Sequence, residues 1–238
     1  MSLRNSVIIV ASPRPRVGKT LLARLLTDFH LHERRAVAAF DVNAGERTLA
    51  QFLPEQAMKS TIDDIKGQMA LFDRLIAADG TDKIVDLGHA SFESFFTLAA
   101  QIGFVEEARG RGIAAAVLFL ITPDHASVEA YNGLQNRLPG AVLVPVHNEI
   151  LGSAQVRHKY GLLGLGTVVV RLTQLAPGLR KYVETPPFSF SQPRLAGGAG
   201  APDEVENELQ HWLRRNYLEL REIDLRILLR DLRSSIRL

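Results

Sequence analysis

The chain has 238 residues and a net charge of +2, resting on 22 arginines against 6 lysines and 26 acidic residues, and it is long enough to bury the core of one full α/β domain. It holds no cysteine, which excludes disulfides, thiolate metal sites and cysteine nucleophiles. No apolar run reaches membrane-spanning length, and Met1-Ser2-Leu3-Arg4-Asn5 lacks the regions of a signal peptide, so a cytoplasmic protein is expected, with an arginine excess suited to weak contact with nucleic acid or anionic surfaces.

In chain order, short apolar runs alternate with amphipathic segments. That pattern predicts an α/β fold, a doubly wound and mostly parallel sheet with helices on both faces. The first run, 6–11, leads through a turn to a helix over 18–32, with Leu21, Leu22, Leu25, Leu26 and Phe29 at helical spacing. Between them stands Val17-Gly18-Lys19-Thr20. It matches the second half of the phosphate-binding loop G-x-x-x-x-G-K-[ST], whose amides wrap phosphate at a helix N-terminus. A cation in a first helical turn opposes the macrodipole unless an anion sits there. The first half departs from the pattern: the leading glycine position holds Pro13, followed by Arg14, Pro15 and Arg16.

Further strands are expected at 36–41, 83–87, 114–122, 141–147 and 167–171. Helices are expected at 61–78, 91–108, 125–137, 152–160 and 173–183. The Ala/Gly-rich stretch 195–202 reads as a flexible linker between a domain over 1–194 and C-terminal helices over 203–238. In that last segment Val205, Leu209, Trp212 and Leu213 share one side, and Leu225, Leu228, Leu229, Leu232 and Ile236 share a face. Its mixed polar face suits packing on the domain or on a partner, and a membrane surface is the alternative.

Ligands of open parallel sheets gather at the carboxyl ends of the strands. The residues there are Asp41-Val42-Asn43, Asp86-Leu87-Gly88 and His147-Asn148-Glu149. Asp86 follows an apolar run as a Walker B carboxylate does, placed to hold Mg²⁺ directly or through water. Asn148 offers the donor and acceptor that an adenine edge requires. Asp28, His30, His32 and His89 lack metal-site spacing, and Phe92, Phe95 and Phe96 read as core residues or, alternatively, as an interface.

The order of these signals resembles the MinD/ParA family of deviant Walker A P-loop ATPases, of the SIMIBI class. That family has D-x-D or D-x-N after its second strand, D-x-[PG] after the third, T-x-x-x-x-S after the fourth and Asn after the fifth. Here these read as Asp41-Val42-Asn43, Asp86-Leu87-Gly88, the turn from Thr122 to Ser127, and Asn148, over roughly residues 5–185. The resemblance implies ATP and Mg²⁺ as ligands. Arg16, Val17, Gly18, Lys19, Thr20, Leu21 and Asn148 would hold the nucleotide, and Thr20, Asp86 and Asp41 the metal. Lys19 would neutralise phosphate charge, and Asp41 with Asn43 would form the first switch. Family members form ATP-sandwich homodimers, in which a signature lysine reaches the partner's nucleotide; Arg14 occupies its position, and Arg16 could serve instead.

The implied function is a nucleotide-gated dimeric switch that partitions or positions DNA or a protein complex. Its partners would be a protein cargo or activator, with non-specific DNA or peripheral membrane contact. Asn43 can orient water but cannot accept its proton, which implies slow hydrolysis. Two alternatives stand beside this: an ATP-dependent ligase of the dethiobiotin or cobyrinate amide synthase type, and a degenerate, non-hydrolysing nucleotide-binding adaptor.

Overall fold

Every residue of β1 (Ser6–Ala11) is buried, because strands hydrogen-bond to it on both edges and helices cover both its faces. A computed structural model describes residues 5–43, 48–152, 169–191 and 202–236. The other strands are β2 (Val37–Val42), β3 (Ala57–Lys59), β4 (Asp82–Leu87), β5 (Ala114–Leu120), β6 (Val142–Asn148) and β7 (Val170–Leu172). They form one sheet in the order β3-β2-β4-β1-β5-β6-β7, parallel at every pairing. Alternation along β1 divides the core. Ile8 and Val10 point into one apolar cluster, and Val7, Ile9 and Ala11 into the other.

The first cluster lies under α1 (Lys19–His32), α2 (Leu49–Phe52), α7 (Pro177–Val183) and α8 (Asp203–Ile236). The second lies under α3 (Ile65–Leu75), α4 (Phe92–Gln101), α5 (Phe104–Gly110) and α6 (His125–Arg137). Phe92, Phe95 and Phe96 are fully enclosed in it: Phe96 is edge-on to Phe92 and Phe95, Phe92 to Phe119, and Phe95 stacks on Phe72, which is edge-on to Phe104.

The elements depart from the sequence reading at several points, each for a local reason. The expected helix over 91–108 is two helices, because Gly103 takes a left-handed conformation (φ 62) as the N-cap of α5. α3 starts at Ile65 instead of 61, where the Asp64 carboxylate accepts from the Gly67 N–H at 2.6 Å. α7 starts at Pro177 instead of 173, with proline's fixed φ at the first helical position. β3 has no apolar run to announce it and is a strand by virtue of pairing with β2. The expected helix over 152–160 and the linker over 195–201 lie outside the described residues.

α8 is bound to the sheet by a stripe at helical spacing, with Leu209, Trp212, Leu213, Tyr217, Leu220, Ile223 and Ile227 buried. That stripe, and not the face expected around Leu225, meets the domain: Leu225 and Leu229 are 51% and 46% exposed. Ion pairs Arg35–Asp224 (3.1 Å) and Arg221–Glu33 (2.8 Å) join α8 to the end of α1. No helix among the described residues is long and apolar enough to cross a membrane.

Deep in this contact, Asn216 holds the chain just past β7. Its Oδ1 accepts from the Thr173 N–H (3.0 Å), and its Nδ2 donates to Thr173 Oγ1 (2.7 Å) and to Trp212 O (2.8 Å). The Trp212 indole donates to Thr173 O at 3.0 Å. Asn216→Ala leaves a buried N–H and hydroxyl without partners and is expected to cost about 2–3 kcal/mol. A urea melt followed through Trp212, the only tryptophan, measures this.

Candidate functional site

β1 ends at the floor of the sheet's carboxyl edge, and the chain then loops over residues 12–18 into α1. Two residues of this loop lie in the left-handed region, Arg16 at φ 57 and Gly18 at φ 97. Gly18 is the N-cap of α1 and supplies no side chain to its first N–H groups, which have no intrahelical acceptor. A Cβ on Gly18 would come within 2.3 Å of Asn148 Nδ2, so only glycine fits. Arg16 takes the same hand at a steric cost of about 1–2 kcal/mol.

Lys19 is mostly buried, and its ammonium donates to Arg14 O at 2.7 Å, folding back on the loop's own backbone. Burial lowers its pKa, and the Asp86 charge partly restores it. Thr20, next on α1, donates its hydroxyl to Asp86 Oδ2 at 2.7 Å. Asp86 is fully enclosed at the end of β4, and its other oxygen, Oδ1, has no hydrogen-bond partner among the described residues. Desolvation pushes this carboxyl up to about 7, Asp41 adds to the rise, and Thr20, Lys19 and Asn43 oppose it.

An enclosed carboxylate with one free oxygen, bonded to a hydroxyl in a first helical turn, is a hard oxygen set. It fits Mg²⁺, which takes one or two protein ligands and keeps waters. Asp41 is also fully buried, but both of its oxygens are engaged. Oδ1 accepts from the Asn43 N–H (3.2 Å) and Nδ2 (3.1 Å), while Oδ2 accepts from the Ala50 N–H (3.0 Å) and faces Lys59 Nζ at 3.3 Å. In this arrangement Asp41 tethers the segment after β2 and is not free to ligate a metal. Asn43 bridges the two carboxylate strands, its Nδ2 donating also to Asp86 O at 3.0 Å.

A cavity of about 440 Å³ opens over this floor, lined by Arg16, Gly18, Lys19, Thr20 and Leu21 from the loop and α1, and by Asn43 and Asn148 from the strand ends. Val17 is buried and contributes its carbonyl, which accepts from Asn148 Nδ2 at 3.0 Å. Asn148 Oδ1 accepts from the Ile150 N–H at 3.2 Å. The amide expected to read a base thus clamps the loop against β6. Arg14 stands apart from the cavity, its guanidinium paired with Asp124. Asp124 caps α6, accepting from the Ser127 N–H at 3.1 Å, while Ser127 Oγ accepts from the Thr122 N–H at 3.0 Å. The Thr122-to-Ser127 motif is therefore a cap that presents a carboxylate to the loop.

Sequence reasoning did not place Arg24, Phe52 or Arg180 at the cavity, and it weighed His89, which also lines it, only as a metal ligand. The available signal was Arg24. It sits among Leu22, Ala23, Leu25 and Leu26 in a helix with no face left for solvent. His30, by contrast, is buried behind α1, with Nδ1 on Leu26 O at 2.7 Å.

Two outcomes follow. In the folded protein Asp86 binds a proton more readily than in the unfolded chain. It therefore opposes the ligand-free fold increasingly as pH rises from about 4 through about 7, by a few kcal/mol in total. Asp86→Asn is expected to flatten that decline, raising the melting temperature at pH 8, and to remove any added stability from Mg²⁺; thermal melts from pH 4 to 8 measure both. Arg16→Gly relieves the left-handed strain and is expected to stabilise the ligand-free protein by about 1 kcal/mol while weakening polyphosphate binding, read by paired melts and titrations.

No protein-family model matches the chain, and no curated protein matches it in sequence. Among solved structures it is similar to the MinD cell division protein of Aquifex aeolicus, at 15% identity and a TM-score of 0.53, over 88% of this chain and 96% of that one. It is similar also to a chain of the MinC:MinD cell division protein complex of Aquifex aeolicus, at 15% identity and a TM-score of 0.53, over 75% of this chain and 85% of that one. The chain has a MinD-like α/β fold.

Proposed function

We propose that this chain is a cytoplasmic ATPase of the MinD/ParA type with a deviant Walker A loop, binding ATP with Mg²⁺ and switching between monomer and ATP-sandwich homodimer to position a protein or DNA cargo. The observation that carries the reading is the Thr20–Asp86 contact with Asp86 Oδ1 left free, at the foot of a left-handed loop that opens a helix.

A polyphosphate entering the cavity meets the N–H groups that open α1 and draws Lys19 Nζ away from Arg14 O. Thr20 Oγ1 and Asp86 would hold Mg²⁺, which supplies charge neutralisation at the phosphates when bound. Asn43 Nδ2 is committed to Asp41 and to the Asp86 carbonyl. It holds the switch segment beside the phosphates without a group that accepts a proton, so turnover is slow. Arg14, released from Asp124, would reach the nucleotide of a second copy; until then the pair keeps it on its own chain. The MinC:MinD neighbour contains a protein partner, and a protein cargo or activator is proposed here too, with DNA or membrane contact as the alternatives.

The same commitment of Asn43, with Pro13 and Pro15 in the loop, favours a second reading: a nucleotide-binding adaptor that does not hydrolyse.

Sizing the protein with Mg·ATP, with ADP and without nucleotide, beside Lys19→Ala, is the test. Mg·ATP is expected to double the mass and ADP to leave it unchanged. Lys19→Ala is expected to lose about 100-fold in ATP affinity and all of the dimer. Protein that neither binds nucleotide nor changes its assembly state overturns the reading, and ATP-driven dimers with no phosphate release select the adaptor.

A further inference from the structure

We infer that the part of the cavity lined by Arg24 and Arg180 is a binding site for a second anionic group, a phosphate or carboxylate distinct from the polyphosphate held at Lys19. The inference rests on the proposed nucleotide reading only for what fills the Lys19 end.

Arg24 is 2% exposed, and it lines the cavity from within α1. Its guanidinium lies 3.8 Å from the Phe52 ring centroid and 4.9 Å from that of Phe190. One terminal nitrogen donates to Phe188 O at 3.2 Å, and Nε has no partner. Glu184 on the cavity wall and Asp28, one turn along α1, act on this charge only through space, and Asp28 is engaged elsewhere. Its oxygens accept from Ser189 Oγ (2.7 Å), the Phe190 N–H (2.8 Å) and the Ser191 N–H (3.3 Å). Arg180 reaches the same cavity from α7, half-buried, and its Nε too is enclosed and unbonded. Among the described residues, neither guanidinium forms an ion pair.

Charge bookkeeping along the wall agrees. Arg16, Lys19, Arg24 and Arg180 line the cavity, against Glu184 as its lone lining carboxylate among the described residues. A buried cation without a bonded counter-ion is costly unless something else supplies the negative charge; desolvation lowers Arg24 to about 9 even though the Asp28 and Glu184 charges oppose the fall. Arg24 lies about 7 Å beyond Lys19 along the helix axis, farther than one phosphate spans. Two guanidinium forks, each with an unbonded Nε donor, suit a planar or tetrahedral oxyanion. That oxyanion belongs either to the nucleotide, as an extra phosphate on its ribose, or to a separate small carboxylate or phosphate.

The experiment uses the full chain saturated with Mg·ATP and titrates inorganic phosphate and succinate by calorimetry. A parallel arm compares ADP with adenosine 3′-phosphate 5′-diphosphate. Either saturable binding of one further anion or at least tenfold tighter binding of the ribose-phosphorylated nucleotide is expected, and which of them appears names the source. Arg180→Gln, outside the core, is expected to remove that gain and leave plain ADP affinity within about twofold; Arg24→Lys keeps the charge, loses the fork and should weaken it. No further anion and no preference between the nucleotides overturns the inference, as does a gain that Arg180→Gln leaves intact. If ATP fails to bind while phosphate or succinate still binds in an Arg180-dependent way, the nucleotide reading falls and this site stands.

Discussion

Asp86 organises the site because its charge is buried before any ligand arrives. Sheet register places it beside Val10 on one neighbouring strand and beside Asp41 on the other, so two carboxylates end adjacent parallel strands in an enclosed space. Like charges in low dielectric repel strongly. The surrounding polar groups each answer that repulsion: Thr20 on one Asp86 oxygen, Asn43 on the Asp41 carboxylate, Lys59 at 3.3 Å from Asp41, and Lys19 nearby. Even so, one Asp86 oxygen is left over. The fold thus carries a local electrostatic deficit that a cation removes, and the same cation would need an anion beside Lys19 to be held well.

The loop above it turns from β1 into α1 with Gly18 as its one glycine. Proline fixes φ at 13 and 15 and removes two N–H groups, so the turn is stiff and has fewer donors. The reversal of hand that glycine ordinarily permits is made at Arg16 and Gly18, and the loop is then fastened from outside, by Asn148 on the Val17 carbonyl. A polyphosphate would bind to a pre-set loop, with little ordering left to pay at the moment of binding.

What could be read from the sequence follows from how local each feature is. Strands buried on both faces appear as continuous apolar runs, so β1, β2, β4, β5 and β6 were predicted within two residues at either end. β3 exists through its pairing with β2 and carries no pattern of its own, and α2 is a single turn whose one local signal is Thr48 with Gln51, the Gln51 Oε1 accepting from the Thr48 N–H at 3.2 Å. The orientation of α8 was ambiguous because leucines occupy more than one side; the stripe through Trp212 and Ile223 won, tied down by Asn216. In the site, Lys19, Thr20 and Asp86 were legible because one short motif and one strand end specify them. Asn148 is marked by its place at a strand end, but its hydrogen bonds depend on the shape of a loop far away in sequence. Arg180 shares a cavity with Arg24 only through the placing of α7, which packs on α8 far along the chain and which no spacing encodes.

The pairing of Arg14 with Asp124 gives the two loops at the sheet edge a common fate. Asp124 serves three groups at once: it caps α6 through Ser127, accepts from the Thr122 hydroxyl and holds Arg14, and together these draw its carboxyl down to about 2. It therefore stays charged at any physiological pH, and acidification does not release Arg14. Both partners are about two-fifths exposed, so water and salt screen the pair and it is a weak restraint. A weak restraint that no proton can open is released by competition: Arg14 leaves Asp124 only for a stronger anion, and the α6 cap persists when it goes. Under the proposed dimer, a polyphosphate on a second copy of the chain would be such an anion, and ion pairing at this edge would then be conditional on ligand, with Arg14 held in place on the free protein.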